Sequence, residues 1–346
     1  MYLVRPVDMA DVAALESLAK VATPWVHTLP KTREAIECAV ERSLLSFAAQ
    51  VDIPSEEMYV FVLESTVDKT IVGSAAISAI AGSNGTYFAF RNNVLQQVSR
   101  DLNISHNVHA LTLCSELTGH SQLSSFYVRN PLQLGPEGAL LSRARLLFAA
   151  VAPHRFGDHF FVSLAGITDG NAQSPFWDAL GRKFFQMDFM DAERVIEGAR
   201  NRTLIVELMP HYPVYVPLLP GAAQAAMGQI HPEGEFPFRL LSEEGFEPDE
   251  YIDIFDGGPI LQAHKYSLRS FSSSMRRRVE RLSDQCASLD DQVKQTYLIA
   301  SARETNFRAA IIDSGILETT DNVLMSTEMM EHLHLVAGDQ VVGVRL

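Results

Sequence analysis

The chain has 346 residues, more than a single hydrophobic core usually organises, so two cores or one core with an appendage are expected. Its 47% hydrophobic and 20% charged residues are those of a globular protein, and no stretch approaches the roughly 20 apolar residues that cross a bilayer. A formal net charge of -14 argues against nucleic-acid phosphates or an anionic membrane surface as partners and suits a cationic small molecule better.

The opening MYLVRPVDMADV lacks the basic, apolar and small-residue zones of a secretory leader, which predicts a cytoplasmic chain. YLVRP reads as a short strand. Asp8 or Asp11 can cap a following helix whose Val12, Leu15, Leu18 and Ala19 recur at helical spacing. A second helix is expected near Glu34 to Ala48, then a hairpin of YVFVLES and TIVGSAAISAI across a short turn. LSSFYVR is the next strand and leads through NPLQLGPEGA into the helix LLSRARLLFAA. HFFVSLAGITD is a strand; Ser174 with Pro175 starts a helix that Gly181 ends or kinks; TLIVELMP reads as another strand. Pro210, Pro213, Pro217 and Pro220 make a loop ahead of a short helix at Ala222 to Met227.

Residues 267–289 are polar and predict a connector or exposed helix, with the basic run RRRVER as a solvated helix face. Beyond about Asp290, QTYLIAS and FRAAIIDS alternate like strands, a helix follows near Ser326 to His332, and VAGDQVVGVRL ends as turn and strand. The expected organisation is therefore a main region over 1–265, a connector over 266–289 and a small β-rich C-terminal module over 290–346. Cys38, Cys114 and Cys286 have no zinc or redox spacing and are expected to be buried free thiols.

Three segments carry chemistry. A strand feeding a helix through a glycine-bearing loop aims backbone N–H groups and the helix dipole at one point, so Gln133, Gly135 and Gly138 could hold an anion such as a pyrophosphate; an ordinary connecting turn is the other reading. Pro136 removes one donor from that loop and Glu137 adds a carboxylate. His231, in MGQIHPEGE, follows a short helix and is held at a loop edge by Pro232. In YIDIFDGGP, a strand continuing through Phe255 would place Asp253 and Asp256 on opposite faces; one could receive a guanidinium or ammonium group, or both could cap a turn.

Together LTG, LSSFYV, SPFW, GRKFF, ELMPHYPVY, GQIHPEG, EGF and YIDIFDGGP, in this order, resemble the arginine N-succinyltransferase family. SFYV, LLSRARLLF and ELMPHYPVYVPLLP are more similar to the alpha-type chain found where two paralogous subunits make one arginine/ornithine succinyltransferase. The resemblance implies an α/β (α+β) fold, a GNAT-like acyl-CoA N-acyltransferase with a mixed sheet and a cleft between splayed strands. It implies succinyl-CoA as co-substrate, L-arginine or L-ornithine as acceptor, a beta-type paralogous subunit as partner, and no metal or resident cofactor.

By the same resemblance His231 is the proton donor, Phe126 lies at the succinyl-CoA contact, and Gln133, Gly135 and Gly138 form the CoA loop. Asp253, Asp256 and Glu207 are the candidates for the acceptor's cationic group. An arginine such as Arg91, whose guanidinium fork matches a carboxylate, or a suitably placed backbone amide is the candidate for the free carboxylate of the succinyl group. The other class of reading is a non-catalytic regulatory or substrate-binding subunit, which the altered loop at Pro136 motivates.

Overall fold

The strand Tyr2–Pro6 (β1) passes into the helix Val12–Ala22 (α1) through a turn that Asp8 and Asp11 build together. Asp8 accepts the N–H of Ala10, Asp11 accepts the N–H of Asp8 at 2.8 Å, and both terminal nitrogens of Arg5 donate to Asp11. Val12, Leu15, Leu18 and Ala19 are buried, as their spacing predicts. The computed structural model describes residues 1–22, 28–196, 207–282 and 295–346.

Thr32 caps the helix Arg33–Ala48 (α2), and the expected hairpin follows as Met58–Ser65 (β2) and Ile71–Ser78 (β3). Next comes a long hairpin, Ala89–Ser99 (β4) and Ile104–Cys114 (β5), paired from Ala89↔Cys114 to Ser99↔Ile104. Its sequence gives no such signal, since Val94, Leu95 and Val98 are exposed together with the intervening glutamines. Ser121–Val128 (β6), Glu137–Val151 (α3) and His159–Ser163 (β7) complete the strand–loop–helix–strand unit expected there.

Ser174 caps Pro175–Ala179 (α4), and the break before Gly181–Phe185 (α5) falls beside Gly181, where a Cβ would lie 2.2 Å from the Trp177 ring. Phe189–Ile196 (α6), Val214–Tyr215 (β8), Gly221–Ala226 (α7), Glu235–Glu244 (α8), Glu247–Ile252 (β9) and Pro259–His264 (β10) follow. Half of the expected strand TLIVELMP lies outside the described residues, and Glu207 and Leu208 in its other half are helical rather than extended.

Up to Leu282, where the described residues break off, the polar stretch expected to be a connector holds a short helix Arg269–Ser272 (α9) and a strand Met275–Arg281 (β11). RRRVER is therefore not a helix face. Val279 is fully buried while Arg278 and Glu280 on either side are exposed, the period of two of a half-buried strand. Gln295–Ser301 (β12), Ala309–Ser314 (β13), Asn322–Met325 (β14), Thr327–His332 (α10) and Gln340–Arg345 (β15) form the C-terminal region.

One mixed sheet joins fifteen strands in the order β14-β11-β15-β12-β13-β1-β2-β3-β6-β7-β10-β9-β4-β5-β8. The C-terminal strands extend the main sheet through Val4↔Ala309. Several hydrophobic clusters result: one around α3 and the aromatic group Phe47, Tyr59, Phe61 and Phe148, one around Trp177 and Phe176, and one under β12 and β15. Cys38 is exposed and Cys114 half-buried, which corrects the expectation of buried thiols; Cys286 lies outside the described residues.

Candidate active site

The sheet parts at its centre. β6 and β7 run parallel but pair only through Ser121↔Phe160, Gln122↔Phe161 and Leu123↔Val162, after which β6 continues to Val128 without its neighbour. On its other edge the register with β3 slips between Ser74 and Ala76, and opposite that slip Ser125 has φ +53°. A non-glycine residue with that backbone marks a bulge held by its surroundings. Here the N–H and Oγ of Ser125 both donate to Thr28, each at 2.8 Å, and Ser74 Oγ donates to the carbonyl of Ser125.

The parting leaves a cleft of about 950 Å³. One wall is β6 from Leu123 to Val128, with Asn130 to Gln133 continuing it; the other is Val162 to Ala165 and His231 to Pro237, and Arg145 of α3 also lines it. Phe126 and Phe236 face each other from the two sides with ring centroids 6.4 Å apart and an interplanar angle of 25°. The cleft is thus half apolar, with histidine, serine and arginine side chains at intervals, as in small-molecule sites generally.

His231 is 8% exposed. Its N–H donates to Ala165 O at 2.8 Å, which ties it to the strand end beyond β7, and Nδ1 accepts the N–H of Glu233 at 3.2 Å. Burial lowers its pKa, opposed by the nearby Glu233 carboxylate. Protonating Nδ1 would also turn that acceptor into a donor facing an N–H. The neutral ring with its proton on Nε2 is therefore favoured.

The loop before α3 is a succession of turns. The N–H groups of Gln133, Leu134, Gly138 and Ala139 donate to Asn130, Pro131, Gly135 and Pro136 within the loop. Gly135 has φ +57°, and a Cβ on Gly138 would meet Pro131 O at 2.6 Å, so this turn needs both glycines. Gln133 lines the cleft, whereas Gly135 and Gly138 shape the turn behind it. The Glu137 carboxylate points away from any anion at the loop, because it accepts the N–H of Tyr2 at 3.0 Å.

The remaining candidates lie elsewhere. β9 ends at Ile252, so Asp253 and Asp256 sit in a buried turn rather than on opposite faces of a continuing strand. Asp253 accepts from Ser163 Oγ and the N–H of Phe255; Asp256 accepts the N–H groups of Gly166 and Gly258 at 2.7 and 2.8 Å. A Cβ on Gly258 would stand 2.2 Å from Leu164 O, which explains why glycine follows these carboxylates. They fasten the 253–258 turn to the end of β7, and neither lines the cleft. Glu207 is exposed and outside the cleft. Arg91, on β4, is paired with Glu250 at 2.7 Å and Glu116 at 3.3 Å, also outside it.

Sequence reasoning missed Arg145. Its one signal was a cation inside LLSRARLLFAA on a helix whose neighbouring residues Ala144 and Leu146 are both apolar. The structure buries it to 1% exposure on the cleft floor. Thr28 and Ser125 carried no signal, since only the bulge makes them partners.

Comparison with known proteins agrees with this geometry. Residues 2–270 match the family described as arginine N-succinyltransferase beta subunit, and residues 281–345 match its C-terminal domain. The arginine N-succinyltransferase subunit alpha of Pseudomonas aeruginosa is 42% identical over 313 residues, 90% of each chain. The arginine N-succinyltransferase of Yersinia pseudotuberculosis is 32% identical over 99% of this chain and 97% of its own. The solved structure of arginine/ornithine succinyltransferase subunit AI from Pseudomonas aeruginosa superposes with a TM-score of 0.89 at 38% identity, covering 100% of this chain and 98% of that one. The class is that of an acyltransferase. The chain belongs to the arginine N-succinyltransferase family.

Proposed function

We infer that this chain transfers the succinyl group of succinyl-CoA to the α-amine of L-arginine, with L-ornithine as a second acceptor. The observation that carries the reading is the parting of β6 from β7, which opens a cleft between Phe126 and His231 in a member of this family. The edge of β6 can receive the extended pantetheine arm as a strand edge receives a peptide. Gln133 and the turn around Gly135 and Gly138 lie where the CoA phosphates would leave the cleft. The splayed strands and strand–loop–helix order support a GNAT-like fold.

In the reaction the neutral amine attacks the thioester carbonyl, a C–N bond forms, and the tetrahedral oxyanion collapses with cleavage of the C–S bond. The amine nitrogen loses a proton and the CoA sulfur gains one, so no redox partner or metal is required. His231 in its neutral form donates a hydrogen bond from Nε2 to the departing sulfur and stabilises the forming thiolate until the proton released by the amine nitrogen reaches it, so the imidazole keeps its own proton. The remaining barrier reduction comes from placing amine and thioester in line.

The chain acts in the cytoplasm as the alpha-type subunit of a hetero-oligomer with a beta-type paralogue. The relative named subunit alpha supports this. A regulatory subunit is the second reading, favoured by the loop before α3, where Pro136 lacks a donor and four N–H groups are engaged internally. The deciding assay measures arginine-dependent CoA release from succinyl-CoA by this chain alone and with the beta-type chain. Turnover abolished by His231→Ala in this chain supports catalysis here; full turnover of the complex carrying that variant would establish the regulatory role.

A further inference from the structure

Arg145 is 1% exposed, in the middle of α3, and lines the cleft. No carboxylate among the described residues forms an ion pair with it. Its terminal nitrogens donate to Ala76 O at 3.3 Å, Ser124 O at 3.2 Å and Ser142 Oγ at 3.4 Å, all long, and its Nε has no partner. The chain has 42 acidic residues against 28 basic ones, so carboxylates are abundant, and the equally buried Arg155 does meet one, Glu304 at 2.7 Å. A buried charge without a counter-ion is costly, and its retention calls for an anion that arrives from outside. Burial alone pushes Arg145 down to about 9, which still leaves it charged at neutral pH.

We propose that Arg145 is the residue that receives the free carboxylate of the succinyl group and so sets the choice of acyl donor. The inference rests on the succinyl-transfer reading given above. The guanidinium lies beside the bulge of β6, with its Cζ 5.3 Å from the centre of the Phe126 ring. That half-buried ring covers the charge; its rotation admits the carboxylate, and the ring then keeps water from the pair. A four-carbon dicarboxylic acyl group places its charge just beyond the thioester, so a cation on the floor of the same cleft has the right sign and position. Shorter or neutral acyl groups leave Arg145 unpaired, which is the basis of rejection.

The test compares succinyl-CoA with butyryl-CoA, which has the same chain length without the charge. In the wild-type complex the ratio of kcat/KM values should favour succinyl-CoA strongly. In Arg145→Met that ratio should fall by at least about 100-fold, with Arg145→Lys intermediate, as expected when one partner of a buried charge pair is removed. A ratio unchanged within about threefold in a folded variant overturns the proposal and leaves Arg145 as a fastening for the carbonyls of Ala76 and Ser124. If the methionine variant does not fold, Arg145→Gln keeps a donor toward those carbonyls without the charge and carries the same expectation.

Equilibrium binding of the two CoA esters in the absence of arginine decides the matter even without turnover. Equal Kd values on the wild-type chain would sink the proposal. Tighter binding of succinyl-CoA that is lost in the variant, with no CoA release in any assembly, would instead keep the proposal and overturn catalysis by this chain.

Discussion

The Nδ1 atom of His231 accepts the backbone N–H of Glu233, two residues further on, at 3.2 Å. Burial of the ring lowers its pKa below the ordinary value against the raising effect of the Glu233 carboxylate, and the bond favours the neutral tautomer with its proton on Nε2. The acid limb of kcat/KM should therefore fall below pH 6.5: as pH drops through the His231 pKa, the proton goes onto Nδ1 and the Glu233 contact is lost. His231→Gln should remove that limb. Activity that instead declines as pH rises through the same value would show that the imidazolium is the working form. His231→Ala is expected to lower kcat by at least roughly 10² with little change in the Kd of succinyl-CoA.

Asp256 is expected to matter for the fold of the site more than for recognition of the acceptor. Both its oxygens accept backbone N–H groups, from Gly166 and Gly258. Asp256→Asn turns one acceptor into a donor facing an N–H, a change on the order of 1–3 kcal/mol. A Tm lower by several degrees with the KM for arginine unchanged is the expected result. A raised KM at constant Tm would return Asp256 to the acceptor pocket.

Arg155 fixes the segment before β13 to the main core. It donates to Glu304 at 2.7 Å, to the Tyr59 hydroxyl and Ser46 O at 3.0 Å, and to Ala49 O at 2.9 Å. Arg155→Met leaves two carbonyls and a hydroxyl unsatisfied, and about 3 kcal/mol of stability should be lost. Denaturant unfolding measures this directly. Glu304→Gln, at a partly exposed position, should cost less than half as much.

Glu244 is 3% exposed and accepts the N–H of Ser270 at 2.5 Å, joining the end of α8 to the start of α9. Burial raises its pKa, the largest effect, against the hydrogen bonds to Ser270 that lower it. With the folded-state pKa above the unfolded one, its contribution is fully present below the unfolded value and is lost as pH rises through the folded one. Glu244→Gln keeps the acceptor and removes the charge. Its Tm should equal or exceed that of the wild type at pH 8, with the advantage shrinking toward pH 4; a lower Tm at pH 8 would contradict this.

Sequence by itself determined the elements whose local chemistry is complete within a few residues. The apolar spacing of α1, the Ser174 cap, the β2–β3 hairpin and the GQIHP motif are all of this kind, and each appears where its residues place it. The motif order was sufficient to assign the family, because that signal is cumulative along the chain. The β4–β5 hairpin escaped notice because its far half has no buried face to impose alternation. RRRVER looked like a helix face because its pairing with β14 and β15 involves residues far along the chain.

Only the tertiary structure decided which charges face the cleft. Asp253 and Asp256 look like ligands in YIDIFDGGP, yet they accept from Ser163 at the end of β7 and Gly166 beyond it as well as from N–H groups of their own turn, so their charge is engaged within the fold. Arg91 and Arg145 differ little as letters in a sequence. The first meets Glu250 and Glu116 on the surface, whereas the second is enclosed by β3, β6 and its own helix, where no carboxylate among the described residues reaches it. The environment of a charge is set by chain segments distant in sequence, and burial multiplies the consequence of having or lacking a partner.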